Sequence, residues 1–273
     1  MEGVRARYDF AADAEIAIES DPRTLTAEMA DRIVKPGFNR ASLGVQEFDA
    51  QVQKAINRVQ PPEMVRTSVA QLRGAGVRGI NFDLFYGLPH QAVASIMNAV
   101  QLCADMRPDR VALFGYAHVP WMARNQRMIP DAALPDAAAR AAQAQAAAEA
   151  LVAEGYVAIG HDHFALPGDA LAVAFRNGQL RRNFQGHTTD RAQTLTDMGA
   201  TSIGRMSLGY VQNIAETGAW SRAVKDGRLR VAKGLPLTGD DRLRGHLIAR
   251  LMCDGHVDAA AIGRARHGPE GWW

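Results

Sequence analysis

Four short apolar runs, each ending on polar, glycine or proline residues, constrain the fold of this chain most strongly. They lie at 14–22, 39–48, 79–89 and 110–120, and stretches with helical periodicity separate them. Short β-branched or aliphatic runs that alternate with helices are typical of β/α units in a parallel sheet or barrel. Functional groups in such folds collect where the strands end. We therefore predict an α/β chain whose strand ends form part of a functional rim.

The finer pattern predicts the individual elements. Strands are expected at 15–19, 40–45, 79–84 and 110–115, and helices at 26–35, 61–75 and 91–104. Thr26 should begin the first of these helices, and Pro61 with Pro62 suits the first turn of the second. An alanine-rich stretch at 136–155 predicts a further helix that ends at Gly155, before the apolar run YVAIG.

Beyond Gly168 the periodicity becomes more helical. Helices are predicted at 170–176, 207–225 and 239–252. The sequence therefore predicts two regions, a partial barrel at 1–165 and a mainly helical region at 166–273.

Composition narrows the class of protein. The chain has 273 residues, of which 47% are hydrophobic, enough for a sizeable core. Its 31 basic and 29 acidic residues nearly balance, so charge gives no reason to expect nucleic acid or a membrane as partner. No apolar run reaches the length of a membrane-spanning helix, and the first residues show no secretory signal. Two distant cysteines argue against a disulfide framework, so we expect a cytoplasmic protein.

Asp83 is the strongest candidate for a functional residue on chemical grounds. It lies between Phe82 and Leu84 at the end of a predicted strand. A carboxylate buried among large apolar groups is costly unless it has a partner or a ligand. The pattern therefore favours a functional role.

Three further polar residues lie at or after predicted strand ends, and each also has an ordinary explanation. Glu19 could hold an ammonium group or ribose hydroxyls of a ligand, or it could be a solvated acid. Gln46 could donate and accept hydrogen bonds at a ligand, or it could cap the next helix. Arg58 could form a two-pronged contact with a carboxylate, or it could be a surface arginine. The residues alone leave these alternatives open.

His161 and His163 flank Asp162, a grouping that suggests a metal site. If this segment is a strand, the two imidazoles share a face. No third ligand is identifiable, so we predict no metal site here. The sequence singles out no catalytic residue either.

Eight strings carry a resemblance to a known family. They are IESDPR, GFNRASLGVQEF, INRVQ, NFDLFYGLP, YAHVPWMARNQRMI, HDHFALPGD, LRRNFQGHTT and DMGATSI, spread between Tyr8 and Asp258. The chain resembles the oxygen-independent coproporphyrinogen III oxidases, which are radical S-adenosylmethionine (SAM) enzymes of haem biosynthesis. The resemblance implies a partial radical-SAM (β/α) barrel followed by a mainly helical region, SAM and a [4Fe–4S] cluster as cofactors, and coproporphyrinogen III as substrate. The implied reaction is oxidative decarboxylation of two propionates to vinyl groups, which yields protoporphyrinogen IX.

The resemblance also implies roles for particular residues. Six match positions that contact SAM: Glu19 and Ile203 at a first SAM, Arg58, Asp83 and Ala117 at a second SAM, and Gln46. A substrate with four propionates calls for basic and polar groups, and we predict that Arg181, Arg182, Asn183 and Gln185 supply them. A basic surface turn would explain that cluster equally well.

One part of the family pattern is missing. The family holds its cluster through a CxxxCxxC run followed by Gly-Gly-Thr-Pro, whereas this chain has only Cys103 and Cys253. We therefore expect an internal fragment of the enzyme, inactive alone, whose activity requires an N-terminal portion that is either encoded separately or lost from this gene. The alternative is a degenerate, non-enzymatic chain that binds SAM or a tetrapyrrole without turnover.

Overall fold

The computed structural model describes residues 1–258, and the chain divides into two units, one from Met1 to Ala172 and one that begins at Val173. The two regions predicted from the sequence meet at 165/166, and residues 259–273 of the second lie outside the described residues. Among residues 1–258, no helix combines the length and apolar character that crossing a membrane requires.

The first unit alternates strands and helices. Its strands are β1 (Ala17–Ser20), β2 (Arg40–Gln46), β3 (Gly79–Tyr86), β4 (Arg110–Gly115), β5 (Val157–Ile159) and β6 (His163–Ala165). Its helices are α1 (Glu2–Arg5), α2 (Ala27–Val34), α3 (Ala50–Ala55), α4 (Pro62–Ala75), α5 (Val93–Met106) and α6 (Ala137–Ala153), and α7 (Ala170–Arg176) crosses the division. The predicted strands and helices of this region are confirmed to within two residues at each end. The Thr26 hydroxyl caps α2 by accepting a hydrogen bond from Met29 N–H, as predicted.

The six strands form one sheet in the order β1-β2-β3-β4-β6-β5. The first four strands run parallel, as the β/α rhythm predicts, whereas β6 is antiparallel to both β4 and β5. His161 lies in the turn between β5 and β6 rather than in a strand. The idea that His161 and His163 share a strand face is therefore wrong, because a turn does not preserve the two-residue alternation.

The core lies between this sheet and its helices. On β3, Ile80, Phe82 and Leu84 are fully buried and pack in one cluster with apolar residues of α4, α5 and α6. The alternating residues Asn81 and Asp83 are only partly buried, because successive side chains of a strand point to opposite faces. This alternation leaves the second face of the sheet for polar groups.

A buried ionic cluster ties the N-terminal ends of β2 and β4 together. Asp169 accepts hydrogen bonds from Arg40 (3.1 Å) and Arg110 (2.8 Å), and Glu15 accepts from the same two arginines. The Asp169 side chain is 5% exposed. Each of the two arginines contacts both acids, so the charges balance within the cluster.

Between residues 173 and 258, the second unit contains two small antiparallel sheets and two helices besides the end of α7. Its strands are β7 (Arg181–Asn183), β8 (Gly186–Thr188), β9 (Ile203–Met206), β10 (Gly209–Asn213) and β11 (Val231–Pro236), and its helices are α8 (Thr217–Lys225) and α9 (Gly239–Asp254). The predicted helices at 170–176 and 239–252 are confirmed. The helix predicted at 207–225 is wrong in its first part, because residues 209–213 pair with strands on both sides as β10.

Candidate functional site

The neighbouring strands β1, β2 and β3 place Glu19, Ser42 and Asp83 near one another. Glu19 is in register with Ser42, and Gly44 is in register with Asp83. Ser42 Oγ lies 3.5 Å from each carboxylate oxygen of Asp83, at the outer limit of a hydrogen bond. Asp83 therefore lies on the polar face of β3, three residues before the strand ends at Tyr86.

Asp83 lies in surroundings that disfavour its charge. Burial and the nearby Glu19 carboxylate raise the pKa of Asp83 to about 6, against smaller opposing effects of Ser42 and His163. Among residues 1–258, no lysine or arginine forms a salt bridge with this carboxylate. A buried carboxylate that lacks a cationic partner is a group that a bound cation would stabilise.

Gly44 brings two more of the predicted residues against the backbone of β2. A Cβ atom on Gly44 would lie 2.9 Å from Gln46 Nε2 and 3.0 Å from Arg58 Nη2, so both side chains rest on this glycine. Arg58 Nη2 also donates to Gly44 C=O at 2.8 Å. Gln46 Oε1 and Arg58 Nε are buried and have no hydrogen-bond partner among the described residues. Unpaired buried polar atoms are costly, which favours a ligand that pairs with them.

Asp21 holds Arg58 from the other side and was not singled out from the sequence. Arg58 Nη1 lies 3.2 Å from Asp21 Oδ2. A hydrogen bond from Arg23 lowers the pKa of Asp21 to about 2, and the charge of Arg58 acts in the same direction. Burial lowers the pKa of Arg58. A cavity of about 410 Å³ beside β1 is lined in part by Glu19 and Asp21.

A buried glutamate, also not predicted, connects the loops that follow β2 and β3. Glu47 Oε1 accepts from the backbone N–H of Phe48 at 2.7 Å, and Oε2 accepts from Gln91 Nε2 at 2.5 Å. Gln91 Nε2 also donates to Phe85 C=O. Burial raises the pKa of Glu47. The sequence does indicate this residue, since Glu47 is a charged residue beside Phe48 at the end of an apolar run. Its hydrogen bonds fix the backbone next to Gln46.

Ala117 lies in the loop that follows β4, and its backbone is anchored by Gln126. Gln126 Nε2 donates to Ala117 C=O at 3.1 Å, and Gln126 Oε1 accepts from Val119 N–H at 2.5 Å. Further along this loop, Trp121 and Met128 are 72% and 87% exposed. The loop therefore offers an apolar surface close in sequence to a predicted ligand contact.

The remaining predicted residues belong to the second unit. Ile203 begins β9 and is half-buried. Arg181, Arg182 and Asn183 form β7, which pairs with β8 in a hairpin, and Gln185 lies in its turn, where Gln185 N–H donates to Asn183 Oδ1. Arg182 Nη1 is buried and has no hydrogen-bond partner among the described residues. The hairpin brings these basic and amide groups together.

Several known proteins are similar to this chain. The model of the Radical SAM superfamily matches residues 2–103. The oxygen-independent coproporphyrinogen III oxidase of Bradyrhizobium diazoefficiens is 52% identical over 270 residues, which cover 99% of this chain and 60% of that protein. The solved structure of coproporphyrinogen III oxidase from Escherichia coli superposes with a TM-score of 0.91 at 38% identity, covering 96% of this chain and 61% of that one. Over nearly all of its length, the chain is similar to oxygen-independent coproporphyrinogen III oxidases. It spans about 60% of the length of the relatives it matches.

The groups around Gly44 and Asp83 suit the amino-acid end of SAM. The Asp83 carboxylate on β3 has no salt bridge among the described residues, and an unpaired amide oxygen of Gln46 and an unpaired guanidinium nitrogen of Arg58 belong to side chains that rest on Gly44, which is in register with Asp83. An α-ammonium pairs with the first two kinds of group, and an α-carboxylate pairs with the third. This set of side chains therefore fits the ammonium and carboxylate groups of SAM.

The two cysteines of this chain do not fit a [4Fe–4S] cluster. Cys103 is fully buried in the apolar core on α5, and burial raises the pKa of its thiol. Cys253 lies on α9 of the second unit, and both thiols are free. A cluster needs several thiolates at short spacing, which these two residues do not provide.

Proposed function

We propose that this chain forms the ligand-holding part of an enzyme that oxidatively decarboxylates coproporphyrinogen III to protoporphyrinogen IX, in the cytoplasm. The observation that carries the proposal is the combination of two unpaired buried atoms, Gln46 Oε1 and Arg58 Nε, with the Asp83 carboxylate, which forms no salt bridge with a described lysine or arginine. The relatives are coproporphyrinogen III oxidases, and their similarity extends over nearly all of this chain.

The side chains of the first unit have distinct tasks in this proposal. Asp83 is mainly ionised at neutral pH, because its pKa of about 6 lies below 7, and it accepts hydrogen bonds from the SAM ammonium. Arg58, held by Asp21, donates to the SAM carboxylate through its free Nε. Gln46 completes the set with its unpaired Oε1. When bound, SAM supplies the radical chemistry that removes hydrogen from a propionate side chain.

We assign three further residues to SAM binding: Glu19, Ala117 and Ile203. Glu19 is placed to receive ammonium or hydroxyl groups of a first SAM, while Ala117 contributes backbone or shape at the second. Ile203 offers an apolar surface for an adenine ring. These roles rest on the similarity to the oxidase family.

The hairpin of β7 and β8 provides the polar groups proposed for the substrate. Coproporphyrinogen III carries four propionates, and arginine pairs well with carboxylates. Arg182 has a buried Nη1 that no described residue satisfies. Arg181, Asn183 and Gln185 surround it on the same hairpin.

The cysteine positions favour a second candidate for the chain taken alone. Any cluster that serves this site needs thiolates from outside these 273 residues, because Cys103 and Cys253 do not fit one. A protein portion encoded separately would supply them under the first proposal. Without it, the chain would bind SAM or a tetrapyrrole without turnover.

Isothermal titration of SAM into the chain tests the ligand assignment. We expect the wild type to bind, and Asp83→Asn and Arg58→Gln to weaken affinity about ten- to a hundredfold, because a charged hydrogen bond contributes about 1.5–3 kcal/mol. Arg66→Gln is the matched control, since Arg66 lies on α4, 44% exposed, and pairs with Glu63. Unchanged affinity in both site variants would remove the assignment.

A chimera tests the reaction itself. The matched segment of the Escherichia coli relative is replaced by this chain, so that the rest of that enzyme accompanies it. We expect the chimera to decarboxylate coproporphyrinogen III under anaerobic conditions, with the products separated by chromatography. A chimera that is folded, binds its cluster and still gives no product would support the binding-only candidate.

A further inference from the structure

Arg140 is a half-buried arginine that has no counter-ion among residues 1–258. It lies in the first turns of α6, and none of the described residues forms a salt bridge or hydrogen bond with its guanidinium. The guanidinium lies over the ring of Tyr86 in a cation–π contact, with 5.8 Å between Arg140 Cζ and the ring centroid. Arginine is rarely buried without a partner, so this group is available to an anion.

Two glycines at the strand ends make room for this guanidinium. A Cβ atom on Gly87 would lie 2.5 Å from Arg140 Nη1, and one on Gly115 would lie 3.3 Å from Arg140 Nη2. Gly87 follows β3 with a φ of 81°, and Gly115 is the last residue of β4. The guanidinium therefore lies against the backbone at the C-terminal ends of both strands, which is the edge that carries Asp83 and Ala117.

Helix α6 is fixed at this place by Gln143. Gln143 Oε1 accepts from Gly87 N–H at 2.8 Å, and its Nε2 donates to Gln91 C=O at 2.7 Å. Because Gln143 is three residues after Arg140, the two side chains lie on the same face of the helix. The base of the arginine is therefore held rigidly, and binding would lose little conformational freedom.

The local charge also favours an anion. The N-terminal end of a helix carries partial positive charge, so an arginine in this position adds to an existing positive potential. Asp136 is the nearby acid on the helix, and its Oδ1 is used to accept from Ala139 N–H at 2.8 Å. Neither carboxylate oxygen of Asp136 lies within 4.0 Å of the guanidinium.

We propose that Arg140 binds a carboxylate group of a ligand at the C-terminal ends of β3 and β4. This inference rests on the proposed function, which offers two sources of that group: a propionate of the tetrapyrrole and the carboxylate of SAM. A planar guanidinium suits either, because it donates two parallel hydrogen bonds to one carboxylate. The exposed Trp121 and Met128 precede α6 in the same connection and suit an apolar macrocycle.

The carboxylate site is tested first with sodium propionate as the probe. Side-chain Nε–H signals of ¹⁵N-labelled protein are recorded during the titration, and the Arg140 signal is identified by its loss in Arg140→Gln. We expect this signal to shift with propionate and to stay in place with propionamide, which has the same shape without the charge. A signal that does not respond to propionate overturns the proposal, whether or not the proposed function holds.

The second test separates the two sources. Binding of coproporphyrin III, its tetramethyl ester and SAM is measured for the wild type, Arg140→Gln, Arg140→Lys and the control Arg66→Gln. We expect the Kd of coproporphyrin III to rise about tenfold or more in Arg140→Gln, with partial recovery in Arg140→Lys and no change for the ester. A rise in the Kd of SAM alone would assign the carboxylate to SAM. If neither Kd changes, the proposal is overturned. A wild type that binds neither ligand refutes the proposed function, and the propionate titration still decides the role of Arg140.

Discussion

Replacing Asp83 with asparagine should stabilise the protein at neutral pH, because the substitution removes a buried charge while keeping the volume. The difference between the usual pKa of 3.8 and a value of about 6 corresponds to about 3 kcal/mol. Since solvent reaches part of this side chain, we expect the measured gain to be about 2 kcal/mol.

The sign of the effect depends on pH. A raised pKa means that the folded protein binds more protons than the unfolded chain between about pH 4 and 6, so stability falls as the pH rises through this window. At pH 7 the full cost of the charge is present. Below about pH 4 both states carry a protonated carboxyl, so Asp83→Asn should equal the wild type there.

Urea unfolding followed by circular dichroism measures this difference at several values from pH 4 to pH 8. Asp109→Asn is the matched control, because Asp109 Oδ2 accepts from Arg73 (2.7 Å) and from Ile80 N–H (2.7 Å), and its loss should destabilise the protein. A gain for Asp83→Asn that is the same at pH 4 and pH 8, or a loss at pH 7, would refute the reasoning. The same variant should bind SAM more weakly, so that stability and ligand affinity change in opposite directions.

Three further substitutions probe other parts of the first unit. Asp21→Asn should lower the free energy of unfolding by about 1–2 kcal/mol at pH 7, because the lowered pKa of about 2 means that the Asp21 carboxylate stabilises the fold above pH 4. This stabilisation is lost as the pH falls towards 2, so urea unfolding at pH 7 and pH 2 checks the prediction. Gly44→Ala should weaken SAM binding at least about tenfold in calorimetry yet change stability by less than about 1 kcal/mol, since the new methyl group displaces two flexible side chains. Asp169→Ala should lower the free energy of unfolding in urea by about 3–5 kcal/mol, because it leaves Arg40 and Arg110 buried beside a single acid. A decrease of less than about 1 kcal/mol would contradict this reasoning.

The elements of the first unit could be predicted because their signals are local. Apolar runs of strand length, a Thr26 cap and a Gly155 stop act on neighbouring residues, and the structure confirms each of them. The segment 207–225 was predicted wrongly for the opposite reason. Residues 209–213 form a strand through pairing with β9 and β11, and these partners lie elsewhere in the chain.

The candidate site shows the same difference between local sequence signals and contacts between distant segments. The position of Asp83 at a strand end, between two apolar residues, indicated a functional carboxylate from the sequence alone. The sequence carried no measure of how Glu19 and burial act on that group, because both depend on the register of three strands. The roles assigned to the six SAM positions and to the β7 hairpin stay predictions.

The sequence by itself determined the β/α order of the first unit, the resemblance to the oxidase family and the lack of clustered thiolates, since these follow from local patterns and residue counts. Only the tertiary structure placed Gln46 and Arg58 on Gly44 and left their polar atoms unpaired. It also placed Arg140 over Gly87, more than fifty residues away along the chain. Such contacts arise where strand ends and helix starts meet in space, and their energies depend on distances that residue order does not specify.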